Sequence, residues 1–420
     1  MKKNLYSLFL VGISFASFNF QAQTHKCAAA TNFEKKLIEN PSLQLVREQA
    51  ELETQNWLST HPNALQTRNI ITIPVVVHVI YKTAAQNVST AQIQSQIDAM
   101  NEDFRLLNAD SLPDVHPFWQ YTADSQIEFC LASRDPNGNA TTGITRTSTT
   151  VNFFDGNNGA EKYTSMGGKD NWDPTKYLNI WVCNLDPAAG LLGYATFPSD
   201  LSNFPDDDGV VINYTAFGIG GTSVSPNTNG RTGTHEVGHW LNLSHIWGDA
   251  TCGDDLVSDT KVAETSNYGC PSFPFNPNST CGSDASGEMY MNYMDYVDDA
   301  CMVMFTLGQA NRMRAALNGP RAGLLSSNGC LPIANMEEIL SENSFEIYPN
   351  PSADNFTVNT KNKESVDIHV YDLVGTEIVS FKNVNQYPHE MSLKNLPNGS
   401  YFLKFTNGNS TITKKIVISK

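Results

Sequence analysis

The N-terminal and central parts of the chain carry apolar residues in patterns that predict a sheet and its helices. Ile70–Tyr81 is apolar at nearly every position and rich in β-branched residues, which is typical of a buried strand. Ser89 and Gln92 then form the pattern of a helix-capping box, and apolar residues follow at helical spacing. These residues are Ile93, Ile97, Met100 and Phe104.

Further segments of the same kind extend this arrangement along the chain. Strands are predicted at Ile127–Ala132, Tyr177–Leu185, Gly193–Phe197 and Gly209–Tyr214, and a helix at Thr306–Leu317. That helix is expected to carry Gln309, Arg312 and Arg314 on its polar side. Strands interspersed with helices predict an α/β (α+β) domain built on a mixed sheet.

Past residue 344 the pattern changes to short alternating segments about ten residues apart. The segments are Phe345–Ile347, Phe356–Val358, Asp367–Tyr371, Glu377–Phe381, Glu390–Leu393, Ser400–Phe405 and Thr411–Ile418. Turn signals such as Pro397-Asn-Gly separate them. Seven short strands of this kind predict a small all-β, immunoglobulin-like sandwich at residues 345–420.

The N-terminus has the layout of a secretory signal peptide, which we assign to residues 1–22. Lys2 and Lys3 precede an apolar run that is too short for a membrane span, although a buried helix is the alternative interpretation. Residues 23–68 are polar and helix-prone and are interpreted as a pro-segment, with a processing site for example after Arg68. A domain at 69–332 and a linker at 333–344 complete the predicted organisation.

Charge and cysteine content narrow the classes of function. The formal net charge of −16 argues against a nucleic-acid partner, since binding phosphate needs basic patches. It fits an extracellular protein and equally fits carboxylate sites for calcium. The eight cysteines include no C-x-x-C pair, so in an exported protein they indicate disulfides rather than a cysteine zinc site. Their pairing is not fixed by the sequence alone.

Residues 235–245 contain the candidate metal-binding and catalytic residues. His235 and His239 are four residues apart, so on a helix they share one face and reach one zinc ion. Glu236 lies beside them as the candidate general base for a water molecule acidified by the metal. A bare H-E-x-x-H also occurs as a solvated, salt-bridged helix face.

A third histidine, His245, makes the pattern more specific. On a continuous helix it would lie far along the axis from the metal, so the helix must end and turn sharply. Such a turn requires a left-handed residue, normally glycine, and Asn242 is the best non-glycine choice.

This extended motif is that of the metzincin zinc peptidases, and the chain from about Lys26 to Leu331 resembles their pappalysin family. The pattern H-E-x-x-H-x-x-G-x-x-H is met except at Asn242. Supporting segments are Arg134-Asp-Pro-Asn-Gly-Asn, Leu178-Asn-Ile-Trp-Val, Gly248-Asp and Asn292-Tyr-Met-Asp-Tyr. The resemblance implies a metzincin-like catalytic domain with an active-site helix, and a zinc endopeptidase that acts on proteins or peptides.

The resemblance also implies roles for residues outside the motif. Met294 would form the family's Met-turn beneath the histidines, and Tyr296 would stabilise the oxyanion; plain packing and a structural hydrogen bond are the alternatives. Cys27 would be the fourth zinc ligand of the zymogen, a disulfide with Cys330 being the alternative. A calcium site and two disulfides are implied as well. The calcium site would comprise Asp254, Asp255, Asp259 and Thr260, an ordinary solvated acidic loop being the alternative. The disulfides would be Cys252–Cys281 and Cys270–Cys301.

Substrate preference stays open at this point. The segment after the Met-turn contributes the apolar Met302 and Met304, whereas Asp298 and Asp299 would favour arginine or lysine.

Residues 345–420 resemble the C-terminal sorting domain of the type IX secretion system. The resemblance is carried by Tyr348-Pro-Asn-Pro-Ser, Val370-Tyr-Asp-Leu-Val-Gly and the final Lys-Lys-Ile-Val-Ile-Ser-Lys. It implies a secreted or surface-attached protein without a transmembrane span, exported through that machinery; a carbohydrate- or protein-binding module is the alternative. For the whole chain, the alternative to an enzyme is a non-catalytic, zinc-stabilised surface binding protein.

Overall fold

The computed structural model describes residues 27–67, 69–276, 281, 286–331, 345–360, 365–407 and 410–420. The chain divides into two compact units between Cys330 and Leu331. The predicted signal peptide at 1–22, the processing site after Arg68 and the linker at 333–344 lie outside the described residues. Within the described part of the chain, no helix combines the length and apolar character that a membrane crossing requires.

The first unit is built on a mixed six-stranded sheet, as predicted. Its strands are β1 (Ile71–Tyr81), β2 (Ile127–Leu131), β3 (Ile144–Ser148), β4 (Leu178–Cys183), β5 (Gly193–Ala195) and β6 (Val210–Asn213). The order is β2-β1-β4-β6-β5, and β3 continues along β1 beyond β2. All pairings are parallel except that of β5 with β6. Strand β3 was not predicted, because its residues are largely polar and none of them is fully buried.

Five α-helices accompany the sheet in the described part of the first unit. They are α1 (Ala29–Glu39), α2 (Leu43–Thr60), α3 (Thr90–Phe104), α4 (Arg231–Trp240) and α5 (Leu307–Asn318). Ser89 caps α3 as predicted, accepting a hydrogen bond from the Gln92 amide at 3.1 Å. The reciprocal half of the predicted capping box does not form, because Oε1 of the buried Gln92 instead accepts from the Thr222 amide at 3.2 Å, while its side-chain amide donates to the Phe217 carbonyl at 2.7 Å.

Gln309, Arg312 and Arg314, which the sequence places on the polar side of α5, are all buried. Gln309 completes a capping box by accepting from the Thr306 amide at 2.9 Å. Arg312 donates to the Asn242 carbonyl at 2.7 Å, and Arg314 donates to a main-chain carbonyl of the pre-β1 segment at 3.1 Å. These long side chains are enclosed because distant segments fold over α5 and accept their hydrogen bonds, which a local periodicity does not reveal.

The described residues of the second unit form seven antiparallel strands in two sheets, which confirms the predicted all-β architecture. They are β7 (Phe345–Tyr348), β8 (Asn355–Thr360), β9 (Val366–Tyr371), β10 (Glu377–Val384), β11 (His389–Ser392), β12 (Gly399–Asn407) and β13 (Ser410–Ile418). One sheet has the order β10-β9-β12-β13 and the other β11-β8-β7. Phe345 and Phe405 stack across the core with ring centroids 4.3 Å apart.

Three disulfides link the described residues of the first unit. Two of them, Cys252–Cys281 and Cys270–Cys301, are the pairs that the family resemblance implies. The third joins Cys130 to Cys330, so the alternative Cys27–Cys330 pairing is wrong. Among the described residues, Cys27 and Cys183 are free and buried.

A fully buried ion pair fixes the end of the first unit against helix α4. Arg321 donates two hydrogen bonds to the Asp208 carboxylate, at 2.8 and 2.9 Å, and neither side chain is exposed. The Arg321 guanidinium lies 3.9 Å from the ring centroid of Trp240 and donates to its carbonyl at 2.7 Å. Breaking such a pair strands a buried charge.

We therefore expect Asp208→Ala to lower the free energy of unfolding of this unit by about 3–5 kcal/mol. All six tryptophans precede residue 331, so their fluorescence in a urea titration reports on this unit. Asp206→Ala, at an exposed neighbouring site, is the control and is expected to be near neutral. A loss below about 1 kcal/mol for Asp208→Ala would contradict this account.

Candidate metal centre

Helix α4 and the turn that follows it bring the three histidines together. Every residue of α4 is buried, and the helix packs on α3, β5 and β6. After Trp240 the chain reverses: Asn242 has φ of 76°, and the amide of Leu243 donates back to the Gly238 carbonyl at 3.0 Å. Asn242 therefore adopts the left-handed conformation that the sequence predicted, and the turn returns His245 to the helix face.

The three imidazoles point their Nε2 atoms at one position. Nε2 of His239 lies 3.1 Å from Nε2 of His235 and 3.1 Å from Nε2 of His245. Tetrahedral coordination at normal zinc–nitrogen distances separates two such atoms by about 3.3 Å. The donor set and its spacing therefore fit a zinc ion.

Each histidine is oriented through its other ring nitrogen. Nδ1 of His235 donates to the Tyr293 carbonyl at 2.7 Å, and Nδ1 of His239 donates to the Leu243 carbonyl at 2.8 Å. Since a carbonyl only accepts, both rings carry their proton on Nδ1 and leave Nε2 free as a ligand. Nδ1 of His245 is hydrogen-bonded to the Asp249 carboxylate.

Cys27 completes the cluster from the N-terminal segment. One ligand atom from each of Cys27, His235, His239 and His245 lies within 4.8 Å of the others, and the described residues contain no second such group. The backbone of the segment follows the sheet edge: Cys27 pairs with Gly193 of β5, and the Ala28 amide donates to the Gly193 carbonyl at 3.2 Å.

Glu236 lies beside the cluster and is buried. The Cys27 thiol donates to its Oε2 at 3.2 Å. Burial raises the pKa of Glu236 to about 8, although the hydrogen bond from Cys27 lowers it. Burial and the neighbouring Glu236 also raise the pKa of the Cys27 thiol. A bound cation would reverse this balance, because it stabilises a thiolate ligand.

Two glycines that the sequence analysis did not single out make room for these groups. A Cβ on Gly193 would lie 3.0 Å from Oε1 of Glu236, and a Cβ on Gly238 would lie 2.5 Å from the Met294 sulfur. Both glycines are therefore needed for close approach. In the sequence, a glycine inside a predicted strand or helix is the signal that could have indicated such a close approach.

Met294 and Tyr296 both lie next to the histidine cluster. Met294 is fully buried beneath α4, in contact with Gly238. The Tyr296 ring lies 4.9 Å from the ring of His245, and its hydroxyl donates to the Cys27 carbonyl at 3.2 Å. Tyr296 therefore already donates a hydrogen bond to a carbonyl oxygen at the cluster.

The N-terminal segment is held at a second place, on the turn that ends α4. The Asn242 side chain donates to the Thr54 hydroxyl of α2 at 3.3 Å. Arg312 donates to the Asn242 carbonyl at 2.7 Å and to the Glu51 carboxylate of α2 at 2.9 Å. A glycine at 242 would form the turn but would lack the side-chain contact with α2.

The residues of the predicted calcium loop do not all point to one position. Its residues are Asp254, Asp255, Asp259 and Thr260. Asp259 is used at the start of α5, where it accepts from the Thr306 hydroxyl at 2.7 Å and the Gly308 amide at 2.8 Å. Asp255 accepts from Thr260 at 2.9 Å through Oδ1, while its buried Oδ2 has no hydrogen-bond partner among the described residues. Burial raises the pKa of Asp255 to about 7.

A narrow cavity adjoins Glu236 and His235. Its lining is relevant to substrate preference, which the sequence left open. Both Asp299 and Met302 line it, so an acidic and an apolar side chain face the same space. The Asp299 carboxylate accepts from the Asn229 amide at 2.8 Å and from the Arg231 amide at 3.3 Å.

Two protein-family models match this chain. The model of the peptidase M43 family, described as pregnancy-associated plasma protein-A, matches residues 161–318. The model described as secretion system C-terminal sorting domain matches residues 346–419.

Individual relatives match over larger parts of the chain. An extracellular metalloprotease of Pyricularia oryzae is 30% identical over 329 residues, which are 77% of this chain and 100% of that protein. Mature mirolysin of Tannerella forsythia, solved with a cleaved peptide, is 49% identical with a TM-score of 0.59, covering 61% of this chain and 96% of that one. A glutamate-to-alanine mutant of Tannerella forsythia promirolysin is 43% identical with a TM-score of 0.62, covering 72% and 97%. The chain therefore belongs to the pappalysin family, peptidase M43, as a secreted metalloendopeptidase with a type IX sorting tail.

Proposed function

We propose that this metallopeptidase uses zinc, with Glu236 as general base, to hydrolyse peptide bonds in protein substrates. The observation that carries the proposal is the convergence of three Nε2 atoms, 3.1 Å from one another in two pairs, beside the buried Glu236 carboxylate. When bound by His235, His239 and His245, zinc supplies Lewis acidity towards a carbonyl and lowers the pKa of water.

Glu236 and Tyr296 supply proton transfer and oxyanion stabilisation, respectively. A Glu236 carboxylate oxygen accepts the proton of the attacking water and then delivers it to the leaving amine. The Tyr296 hydroxyl, which donates to the Cys27 carbonyl in this state, donates to the substrate oxygen where negative charge develops. The alternative of a zinc-stabilised binding protein leaves the buried Glu236 carboxylate without a purpose, since structural zinc needs no base.

We expect Glu236→Ala to reduce cleavage of casein by the mature protein by at least about 10²–10⁴-fold, because the proton acceptor is lost. Bound zinc, measured by elemental analysis, should stay near wild type. A zinc chelator should abolish cleavage by the wild-type protein. The matched control is Glu102→Ala, at an exposed position on α3, which should retain activity. Undiminished cleavage by Glu236→Ala would exclude the assigned base.

Latency is the second part of the proposal, with residues 23–68 as the pro-segment and Cys27 as the fourth zinc ligand. Thiolate is a good zinc ligand, and Cys27 fills the position that water needs. Its thiol also engages Glu236, and its carbonyl engages Tyr296.

Changing Cys27 to Ala should accelerate activation of the full-length chain, because one of four ligands is removed. We expect a half-time at least about tenfold shorter, the factor that corresponds to ~1.4 kcal/mol of latch stabilisation. The half-time is measured by following casein cleavage after purification of the intact chain. Cys183→Ala, which removes the other free buried cysteine, is the control. Equal half-times for the two variants would argue against Cys27 as the latch.

Calcium at the loop of Asp254, Asp255, Asp259 and Thr260 is the third part. The support is the buried Oδ2 of Asp255, which has no hydrogen-bond partner among the described residues, since oxygen ligands suit calcium. Saturating calcium should raise the melting temperature of the wild-type protein by roughly 5–8 °C. In Asp255→Asn this rise should largely disappear, whereas the exposed Asp114→Asn should keep it. A wild-type melting temperature that does not respond to calcium would rule the site out.

The export route completes the proposal. Residues 1–22 serve as the signal peptide, residues 69–332 as the catalytic domain and residues 345–420 as the element that the type IX machinery recognises. The match to a secretion sorting domain over residues 346–419 supports the last assignment.

A further inference from the structure

We propose that Asp249 is a positioning residue for the metal centre, which holds Nδ1–H of His245 so that Nε2 faces the ion. The inference rests on the proposed zinc site and adds a residue to it. Asp249 touches neither the metal position nor the reacting atoms; it acts through His245.

The three histidines differ in what orients them. His235 and His239 both belong to α4 and donate through Nδ1 to backbone carbonyls, at 2.7 and 2.8 Å. His245 lies beyond the helix, in the turn region, and its Nδ1 partner is the Asp249 side chain. Of the three ligands, His245 is thus the one whose second nitrogen is held by a carboxylate.

The loop after His245 is folded so that Asp249 reaches back. The Gly248 amide donates to the His245 carbonyl at 2.8 Å, which closes a tight turn. Gly248 has φ of 61°, and a Cβ there would lie 2.4 Å from the Asp254 amide nitrogen. Asp249 itself has φ of 54°, a left-handed conformation that is unfavourable for a non-glycine residue. In this conformation the Asp249 carboxylate is hydrogen-bonded to Nδ1 of His245.

Other contacts restrain the His245 ring but not its tautomer. The ring stacks on Trp247 with centroids 4.3 Å apart and an angle of 5° between the planes. Tyr296 meets it edge-on at 4.9 Å. Neither ring accepts the Nδ1 proton, so the Asp249 carboxylate determines which nitrogen is free for the metal. A carboxylate also makes the imidazole a stronger donor than a neutral acceptor does.

The direct test is the zinc affinity of the full-length chain, measured by competition with a chromophoric chelator. We expect Asp249→Ala to bind zinc about 10–100-fold more weakly than wild type. Asp249→Asn keeps an oxygen acceptor and should recover part of that loss. The matched control, Asp114→Ala at an exposed site, should bind zinc like wild type.

A second measurement separates positioning from a general structural role. The Asp249 side chain keeps 30% of its surface exposed, so its removal opens no buried cavity. The metal-free Asp249→Ala chain should therefore melt within about 2 °C of metal-free wild type, and the difference should appear only with zinc. Zinc affinity of Asp249→Ala within twofold of wild type, or an equal fall in melting temperature with and without zinc, would overturn the inference. Failure of wild type itself to bind zinc would instead overturn the proposed function.

Discussion

The metal centre depends on one reversal of the backbone, at the end of helix α4. The left-handed conformation of Asn242 brings His245 back to the helix, and the same turn presents the Leu243 carbonyl to Nδ1 of His239. The Leu243 amide returns to the Gly238 carbonyl, and the absence of a side chain at Gly238 admits Met294 beneath the histidines. If helix α4 continued without this turn, His245 would not reach the metal position and His239 would lose the carbonyl that orients it. Met294 would also lose its place beneath the histidines.

The same reversal links the centre to the N-terminal segment. Asn242 is less favourable than glycine in a left-handed conformation, because it carries a Cβ. In return its side chain donates to Thr54, while Arg312 joins its carbonyl to Glu51 of α2. The departure from the family pattern at this position therefore comes with a side-chain contact to the N-terminal segment that glycine could not make.

How far the sequence predicted the site follows from the range of the interactions. The histidine spacing, the left-handed turn and the strand and helix periodicities are local, so the sequence contains them directly. The role of Gly193 requires β5 to lie over Glu236, and the burial of Arg312 requires α2 to lie over α5; both are long-range consequences of the fold. Asp249 was visible only as part of the family's Gly248-Asp pattern, because its role depends on a loop conformation that periodicity does not describe. Gln92 was misassigned for the same reason, since a tertiary partner took its side chain.

The latency that we propose depends on a single residue. The Cys27 thiol lies among the three histidines and donates to Glu236, its carbonyl accepts from Tyr296, and its backbone pairs with Gly193 on the sheet edge. One residue thus engages the fourth ligand position of the proposed metal site, the proposed base and the proposed oxyanion donor. Because these contacts share one backbone position, withdrawing Cys27 breaks them together, and partial release would strand the buried Glu236 carboxyl without its hydrogen bond. Such a site favours a two-state transition between latent and open forms over a graded one.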